Sequence, residues 1–392
     1  MVTTTAESIR RYTGPALFSF GFRPFFLFAS IWSAMAVPIW VGALLGGSGV
    51  VGRDWHVHEM LFGYLGGVVA GFLLTAVPNW TGRLPVTGWR LAGLFGLWLA
   101  GRVVSLAPFV PPALAAVVDS AFFVVFAAVV WREVIAGKNR RNLPVCAMVS
   151  LLAVADVAFQ LRGVVPSAGP VAERGALAVA AGLICLIGGR IVPSFTQNWL
   201  AARRIAPGPV AFNRFDQVVL TVTGAALASW VVVGDAGWVG ILLVAAGLAN
   251  AARLARWRGW KAAAEPLVWI LHAGYLWVAV GLLLLGAALI VPTTVPRTAG
   301  VHGLTAGAIG VMTLAVMTRA TLGHTGRDRI ADRATLLIYL AVILGAAIRV
   351  AAPFAGAWTS TLLIVSATLW SLAFTGFALR YGPMLATPRR AA

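Results

Sequence analysis

Histidine is the side chain in this sequence best suited to bind copper or a haem iron, because neutral imidazole is a common ligand for both. The chain of 392 residues has five histidines. All of them lie within apolar segments or at their ends, and these positions are His56, His58, His272, His302 and His324. A lone histidine inside a membrane more often serves as a hydrogen-bonding partner between helices. Because His56, His58 and His302 fall at one predicted membrane level, we favour metal or haem at that level.

His56 and His58 are two residues apart, and this spacing places them on different sides of an α-helix. Both can bind one metal only if Trp55 to Val57 is not helical. The two cysteines, Cys146 and Cys185, lie inside predicted helices and form no Cys-x-x-Cys pair, which favours buried apolar side chains over ligands.

Several other ionisable residues interrupt the apolar segments, where a charge is costly unless it is paired or bound. Arg102 and Arg349 have two interpretations that the sequence leaves open. In the first interpretation they neutralise haem propionates, and in the second they form structural ion pairs with Asp119 and Asp156. Glu59 either orients a histidine ligand or simply favours the positive N-terminal end of its helix.

Apolar helices must position these residues, because the composition excludes a soluble fold. Hydrophobic residues make up 60% of the chain and charged residues 11%, against about 45–50% and about 25% in soluble domains. Stretches of about 20 apolar residues, the length that crosses a bilayer, follow one another throughout. We therefore predict an all-α, polytopic membrane bundle in which residues 1–392 form a single integral membrane domain. About twelve transmembrane helices are predicted, near 20–46, 57–80, 88–107, 111–136, 143–164, 172–195, 213–233, 237–257, 266–291, 298–320, 333–353 and 357–381.

The formal charge of +18 would suggest a nucleic-acid partner in a soluble protein, but here it follows the positive-inside rule. With a cytoplasmic N-terminus, all but six of the 30 lysines and arginines fall on the cytoplasmic side. We therefore expect both termini in the cytoplasm, the lipid bilayer as a partner and no nucleic acid. The six exceptions are Arg53, Arg102, Arg162, Arg174, Arg297 and Arg349.

The second and tenth predicted helices align without gaps at an offset of 244 residues. An offset of eight helices fits three four-helix repeats, and the sixth helix carries a fainter echo. The alternative is that Gly-rich helices with basic inner ends align by chance. The aligned pairs are His58 with His302, Gly63 with Gly307, Gly66 with Gly310, and Thr81-Gly-Arg83 with Thr325-Gly-Arg327.

Five stretches carry long and unusual motifs: Phe20-Gly-Phe-Arg-Pro-Phe-Phe26, His56-Val-His-Glu-Met-Leu-Phe-Gly63, Ala70-Gly-Phe-Leu-Leu-Thr-Ala-Val-Pro-Asn-Trp-Thr-Gly82, Gly188-Gly-Arg-Ile-Val-Pro-Ser-Phe-Thr-Gln-Asn198 and Met317-Thr-Arg-Ala-Thr-Leu-Gly-His-Thr-Gly-Arg327. On these motifs the chain resembles the NnrS family over almost its whole length. The resemblance implies a multi-pass protein of the bacterial inner (cytoplasmic) membrane that binds haem and copper. It also implies an association with denitrification and with resistance to nitric oxide stress. All five histidines match the family's histidine positions.

The helix count and the histidines on helices 2 and 10 are also similar to the catalytic subunit of the haem–copper oxidases. In those enzymes the two helices supply the axial ligands of a low-spin haem. Helices 6 and 7 contain no histidine here, so the three-histidine copper site of those enzymes cannot form. Our hypothesis makes His58 and His302 the axial ligands of a haem b. Copper then binds elsewhere, with His56 or with His272 and His324.

Three functions stay open on the sequence alone. The first is a redox or nitric-oxide-handling haem–copper protein, with nitric oxide as a candidate ligand. The second is a twelve-helix transporter of a small molecule or metal, since repeated helices with buried charges are typical of transporters. The third is a membrane sensor or scaffold without turnover. Nothing in the sequence identifies a catalytic residue, an electron donor or an oligomeric state.

Overall fold

The computed structural model describes residues 12–47 and 51–390, and within these ranges the chain is helical and has no strand. Among these residues, eleven helices are long and apolar enough to cross a membrane. The twelfth, α3, is less apolar because it includes Arg90 and Arg102. The prediction of a polytopic helix bundle is confirmed. The helices are α1 (Phe22–Gly46), α2 (Arg53–Thr81), α3 (Gly88–Ser105), α4 (Pro112–Ala136), α5 (Leu143–Gln160), α6 (Ala168–Ala202), α7 (Arg214–Val233), α8 (Gly237–Arg256), α9 (Pro266–Ile290), α10 (Arg297–His324), α11 (Arg333–Ala351) and α12 (Thr359–Ala386).

Most predicted helix ends lie within a few residues of the observed ones, and the end of α6 differs most. The sixth predicted helix ends at residue 195, but α6 continues through Ala202. Pro193 lies inside the helix and does not end it. In the turn after the proline, the Thr196 hydroxyl donates to the Val192 carbonyl at 2.8 Å.

The bounds of α1 and α2 match those of α9 and α10. α1 and α9 have 25 residues each and begin 244 residues apart. α2 and α10 each open with a six-residue α-helical turn, Arg53–His58 and Arg297–His302, that ends in the aligned histidine. A π-helical segment follows directly in both, at Glu59–Tyr64 and Gly303–Ile309. Because π-helical segments are rare, their occurrence at aligned positions favours a repeat over a chance alignment.

Contacts divide the chain into two compact units. The first unit comprises Met1–Ala176, Ala320–Asp328 and Phe374–Ala392, and the second comprises Leu177–Arg319 and Arg329–Ala373. Within the first unit, Arg23 donates to the backbone carbonyls of Leu385 at 2.8 Å and Thr387 at 2.6 Å. These carbonyls lie at the C-terminal end of α12, where the helix leaves acceptors without helical partners. The motif around Arg23 therefore fastens the start of α1 to the end of α12.

In the second unit, α9 and α10 approach closely because glycines line their contact. A Cβ atom added at Gly300 would lie 2.4 Å from the Cα of Leu285, and one added at Gly303 would lie 2.8 Å from the Cα of Gly281. Small residues of this kind allow helix backbones to pack tightly in membranes. The approach fixes the segment of α10 that carries His302.

Candidate metal centre

A cluster of ionisable side chains lies buried between α2, α3, α4 and α5 of the first unit. His58 and Glu59 come from the junction between the α-helical and π-helical parts of α2. Arg102 comes from α3, Asp119 from α4 and Asp156 from α5. None of the five is more than 6% exposed. We call these five residues the acid–histidine cluster.

Both ring nitrogens of His58 face carboxylates. Nδ1 lies 3.0 Å from Glu59 Oε1, while Nε2 lies 2.7 Å from Asp119 Oδ2 and 3.3 Å from Asp156 Oδ1. One ligand atom each from His58, Asp119 and Asp156 all fall within 4.8 Å of one another. One imidazole and two carboxylates converging in this way form a donor set suited to a divalent metal ion.

Arg102 bridges the two sides of the cluster. Its Nε lies 2.7 Å from Glu59 Oε2, and its Nη2 donates to Asp119 Oδ1. Arg102 therefore adopts the ion-pair arrangement that the sequence left as one of two interpretations. Asp119 was one of its candidate partners, whereas Glu59 was not.

Two uncharged residues complete the hydrogen bonding around the carboxylates. The Ser120 hydroxyl donates to Asp156 Oδ2 at 2.7 Å. The Gln160 amide nitrogen donates to Asp119 Oδ2 at 2.9 Å and lies 3.0 Å from His58 Nε2. Neither residue was predicted from the sequence. A signal was present for Gln160, which lies one helical turn after Asp156 on the same face of α5.

The cluster carries more negative than positive charge, since three carboxylates face one guanidinium. Burying such an excess in apolar surroundings is unfavourable unless a cation or a proton balances it. If the Nδ1 hydrogen of His58 is donated to Glu59, the Nε2 lone pair points toward the carboxylate oxygens of Asp119 and Asp156. The arrangement therefore favours a positive charge on the Nε2 side of the ring.

His56 lies apart from this donor set. Residues Arg53–His58 are α-helical, so the non-helical backbone needed for His56 and His58 to share a metal is not present. The His56 ring instead stacks on Trp40, with ring centroids 5.3 Å apart and an interplanar angle of 16°.

His302, in the second unit, has a ring orientation typical of a metal ligand. Its Nδ1 lies 2.8 Å from the carbonyl oxygen of Thr298 and donates to it, so the lone pair of the neutral ring lies on Nε2. Backbone carbonyls commonly fix ligand histidines in this way. Arg349 is half-buried near the end of α11. This helix packs against the opening turn of α10. Within residues 12–47 and 51–390, no salt bridge is found for Arg349.

The other two histidines lie outside the acid–histidine cluster. In the second unit, Thr196 Oγ1 lies 2.8 Å from His272 Nε2, and a Cβ atom at Gly259 would lie 2.4 Å from the Nδ1 of the same ring. In the first unit, His324 packs against Phe20 and Phe22, each with ring centroids 5.5 Å apart. Among the described residues, the cluster of converging metal donors includes His58 and none of the other four histidines.

A second buried polar network, in the second unit, was not predicted. Arg253 Nε donates to Asp216 Oδ1 at 2.9 Å, and its Nη1 donates to the Cys185 carbonyl and the Tyr275 hydroxyl, each at 3.0 Å. The Tyr275 hydroxyl donates to Asn250 Oδ1 at 2.7 Å. These hydrogen bonds join α6, α7, α8 and α9, which indicates a structural role. Cys185 is buried and unpaired, as is Cys146, in agreement with the prediction for both.

Comparison with known protein families gives a single result that covers nearly the whole chain. A family model described as "NnrS protein" matches residues 16–389. The matched range includes every residue of the acid–histidine cluster as well as His302 and Arg349. A search of curated proteins finds no match for the chain.

Proposed function

The chain belongs to the NnrS family, and from this membership we propose that it is a bacterial inner-membrane protein that binds haem b and copper. We further propose that it contributes to resistance against nitric oxide during denitrification. Iron and copper centres bind nitric oxide readily, and an apolar helix bundle is accessible to a small apolar gas. Family membership supports both parts of the proposal.

The convergence of donor atoms from His58, Asp119 and Asp156 is the observation that carries the proposal. Imidazole and carboxylate donors together suit Cu(II). Glu59 approaches the far nitrogen of the His58 ring, as the orienting carboxylate of many metal-bound histidines does. We therefore propose that copper binds at the acid–histidine cluster.

The predicted haem-binding residues differ in how well their surroundings suit a haem. His302 would hold the haem iron through Nε2, because its Nδ1 donates to the Thr298 carbonyl, and Arg349 on the neighbouring helix is the candidate partner for a propionate. His58 does not fit a haem iron in the present arrangement, because carboxylates face both of its nitrogens. The alternative, with His58 and His302 as the axial pair, requires Asp119 and Asp156 to release the His58 ring.

Single replacements of the two histidines separate these assignments. In His58→Ala we expect the copper content and the Cu(II) EPR signal to fall to background while the Soret band persists. In His302→Ala we expect the Soret band to disappear while copper is retained. Metal analysis, optical spectra and EPR of the purified proteins measure both, and His56→Ala serves as the matched control with both signals intact.

Two results would contradict the proposal in different ways. Loss of the Soret band in both variants, with copper unchanged in His58→Ala, would support the axial pair and reject the copper assignment. Wild-type protein without iron, copper or a Soret band would reject the cofactor function altogether. The repeat of α1–α4 in α9–α12, with buried charges inside a membrane, would then favour transport.

A further inference from the structure

We propose that the first unit binds the phosphate headgroup of an anionic phospholipid in a basic cleft between the α2–α3 connection and α4. The cleft encloses about 940 Å³. Its charged and aromatic lining consists of Arg83, Trp89, Arg90, Arg132 and Glu133. It lies at the end of α2 opposite His58, on the side that charge distribution predicts to be cytoplasmic.

The charges in the cleft favour an anion. Glu133 accepts from Arg83 Nε at 2.5 Å and from Arg132 Nη2 at 2.7 Å, so one carboxylate faces two guanidinium groups. Within the part of the chain that the structure describes, Arg90 has no carboxylate partner, and its guanidinium lies 5.5 Å from the centre of the Trp89 ring. Three arginines and one glutamate leave two positive charges to be balanced. Arginine recognises phosphate through paired N–H donors.

The start of α3 adds to this preference. Thr87, the residue preceding the helix, makes no side-chain hydrogen bond to its first turn, and Thr87 and Gly88 both line the cleft. The first N–H groups of an α-helix have no helical acceptors and carry partial positive charge. They therefore reinforce the arginines at the same place.

Apolar features beside the cleft point to a lipid as the source of the phosphate. Trp89 is 79% exposed and Leu84 is 48% exposed, and an exposed tryptophan is typical of the membrane interface. Both side chains belong to the lining of the cleft. An amphiphile can place its phosphate at the arginines and its chain against the exposed Leu84 and Trp89 side chains, whereas a free phosphate gains nothing from these apolar groups.

Arg90→Gln combined with Arg132→Gln tests the proposal in nanodiscs of phosphatidylcholine containing phosphatidylglycerol. Native mass spectrometry counts the phosphatidylglycerol molecules released with the protein. We expect wild-type protein to retain phosphatidylglycerol over phosphatidylcholine and the double variant to lose this preference by more than about tenfold, because each basic residue near an anionic surface contributes about 1 kcal/mol. Equal retention by wild type and the double variant would overturn the proposal.

Arg140→Gln combined with Arg141→Gln removes the same charge from the next connection on the same side, outside the cleft, and should keep the preference. Loss of the preference in this control would show that general surface charge, and not the cleft, selects the lipid. Arg90→Gln alone breaks no ion pair found among the described residues, so this single variant can be tested if the double variant misfolds. We expect it to reduce the preference for phosphatidylglycerol about fivefold. Addition of millimolar inorganic phosphate should leave lipid retention unchanged, and displacement of the lipid by it would make free phosphate the ligand instead.

Discussion

Arg102→Met is expected to destabilise the first unit by about 3–5 kcal/mol, the usual cost of removing one partner from a buried ion pair. Arg102 is 2% exposed and contacts both Glu59 and Asp119. Methionine fills similar space, so the main loss is that of the only guanidinium facing three carboxylates in the acid–histidine cluster. Unfolding of the purified protein in mixed micelles, followed by circular dichroism, measures the change.

The matched control is Arg162→Met. Arg162 pairs with Asp54 at 3.1 Å, but the two side chains are 34% and 55% exposed, so this change should alter stability by no more than about 1 kcal/mol. Adding Glu59→Gln to Arg102→Met should recover part of the loss, because it removes one of the unpaired charges. If Arg102→Met were as stable as Arg162→Met, the ion pairs within the cluster would not stabilise the fold.

The sequence predicted the helices well because bilayer thickness fixes the length of an apolar segment. It also identified His58, Arg102, Asp119 and Asp156 as ionisable residues in or at the ends of apolar segments. It offered Asp119 as one candidate partner of Arg102, but it did not predict that His58 faces Asp119 and Asp156, because such contacts depend on how each helix is rotated about its axis. Helices that are apolar on every side give little periodic signal for this rotation. Ser120 and Gln160 were missed for the same reason.

In the second unit, counting charges along the sequence did not show whether an arginine points into the helix bundle. Arg253 was counted on the cytoplasmic side because it stands near the inner end of a predicted helix. In the structure it is 1% exposed and paired with Asp216. The positive-inside rule counts residues by position along the chain, so it does not distinguish an arginine that points into the bundle from one that points to water.

The alignment of α2 with α10 shows where the two candidate centres differ. At an offset of 244 residues, His58 and His302 occupy equivalent positions before equivalent π-helical segments. The residue after the histidine is Glu59 in α2 but Gly303 in α10, and Ala346 stands where Arg102 does in the first repeat. The charged cluster is thus specific to the first repeat, which supports assigning different cofactors to His58 and His302.

Gly300→Ala is expected to destabilise the second unit by about 2–3 kcal/mol, at the upper end of the usual cost of overpacking a tightly packed core. The new methyl group would lie 2.4 Å from both the Cα and the backbone nitrogen of Leu285. Backbone atoms of a helix cannot move aside as a flexible side chain can, so α9 and α10 must separate. Because His302 lies two residues further along α10, a fall in haem content should accompany the loss of stability.

Gly224→Ala is the matched control, since Gly224 lies inside α7 of the same unit and an added Cβ meets no atom within 4 Å. Alanine is favoured over glycine in a helix interior by about 0.5–1 kcal/mol, so this variant should be slightly more stable than wild type. If the two Gly→Ala replacements change stability in opposite directions, the effect of Gly300→Ala arises from the α9–α10 contact. Equal thermal midpoints for the two variants would mean that this contact tolerates a methyl group and does not hold His302 in place.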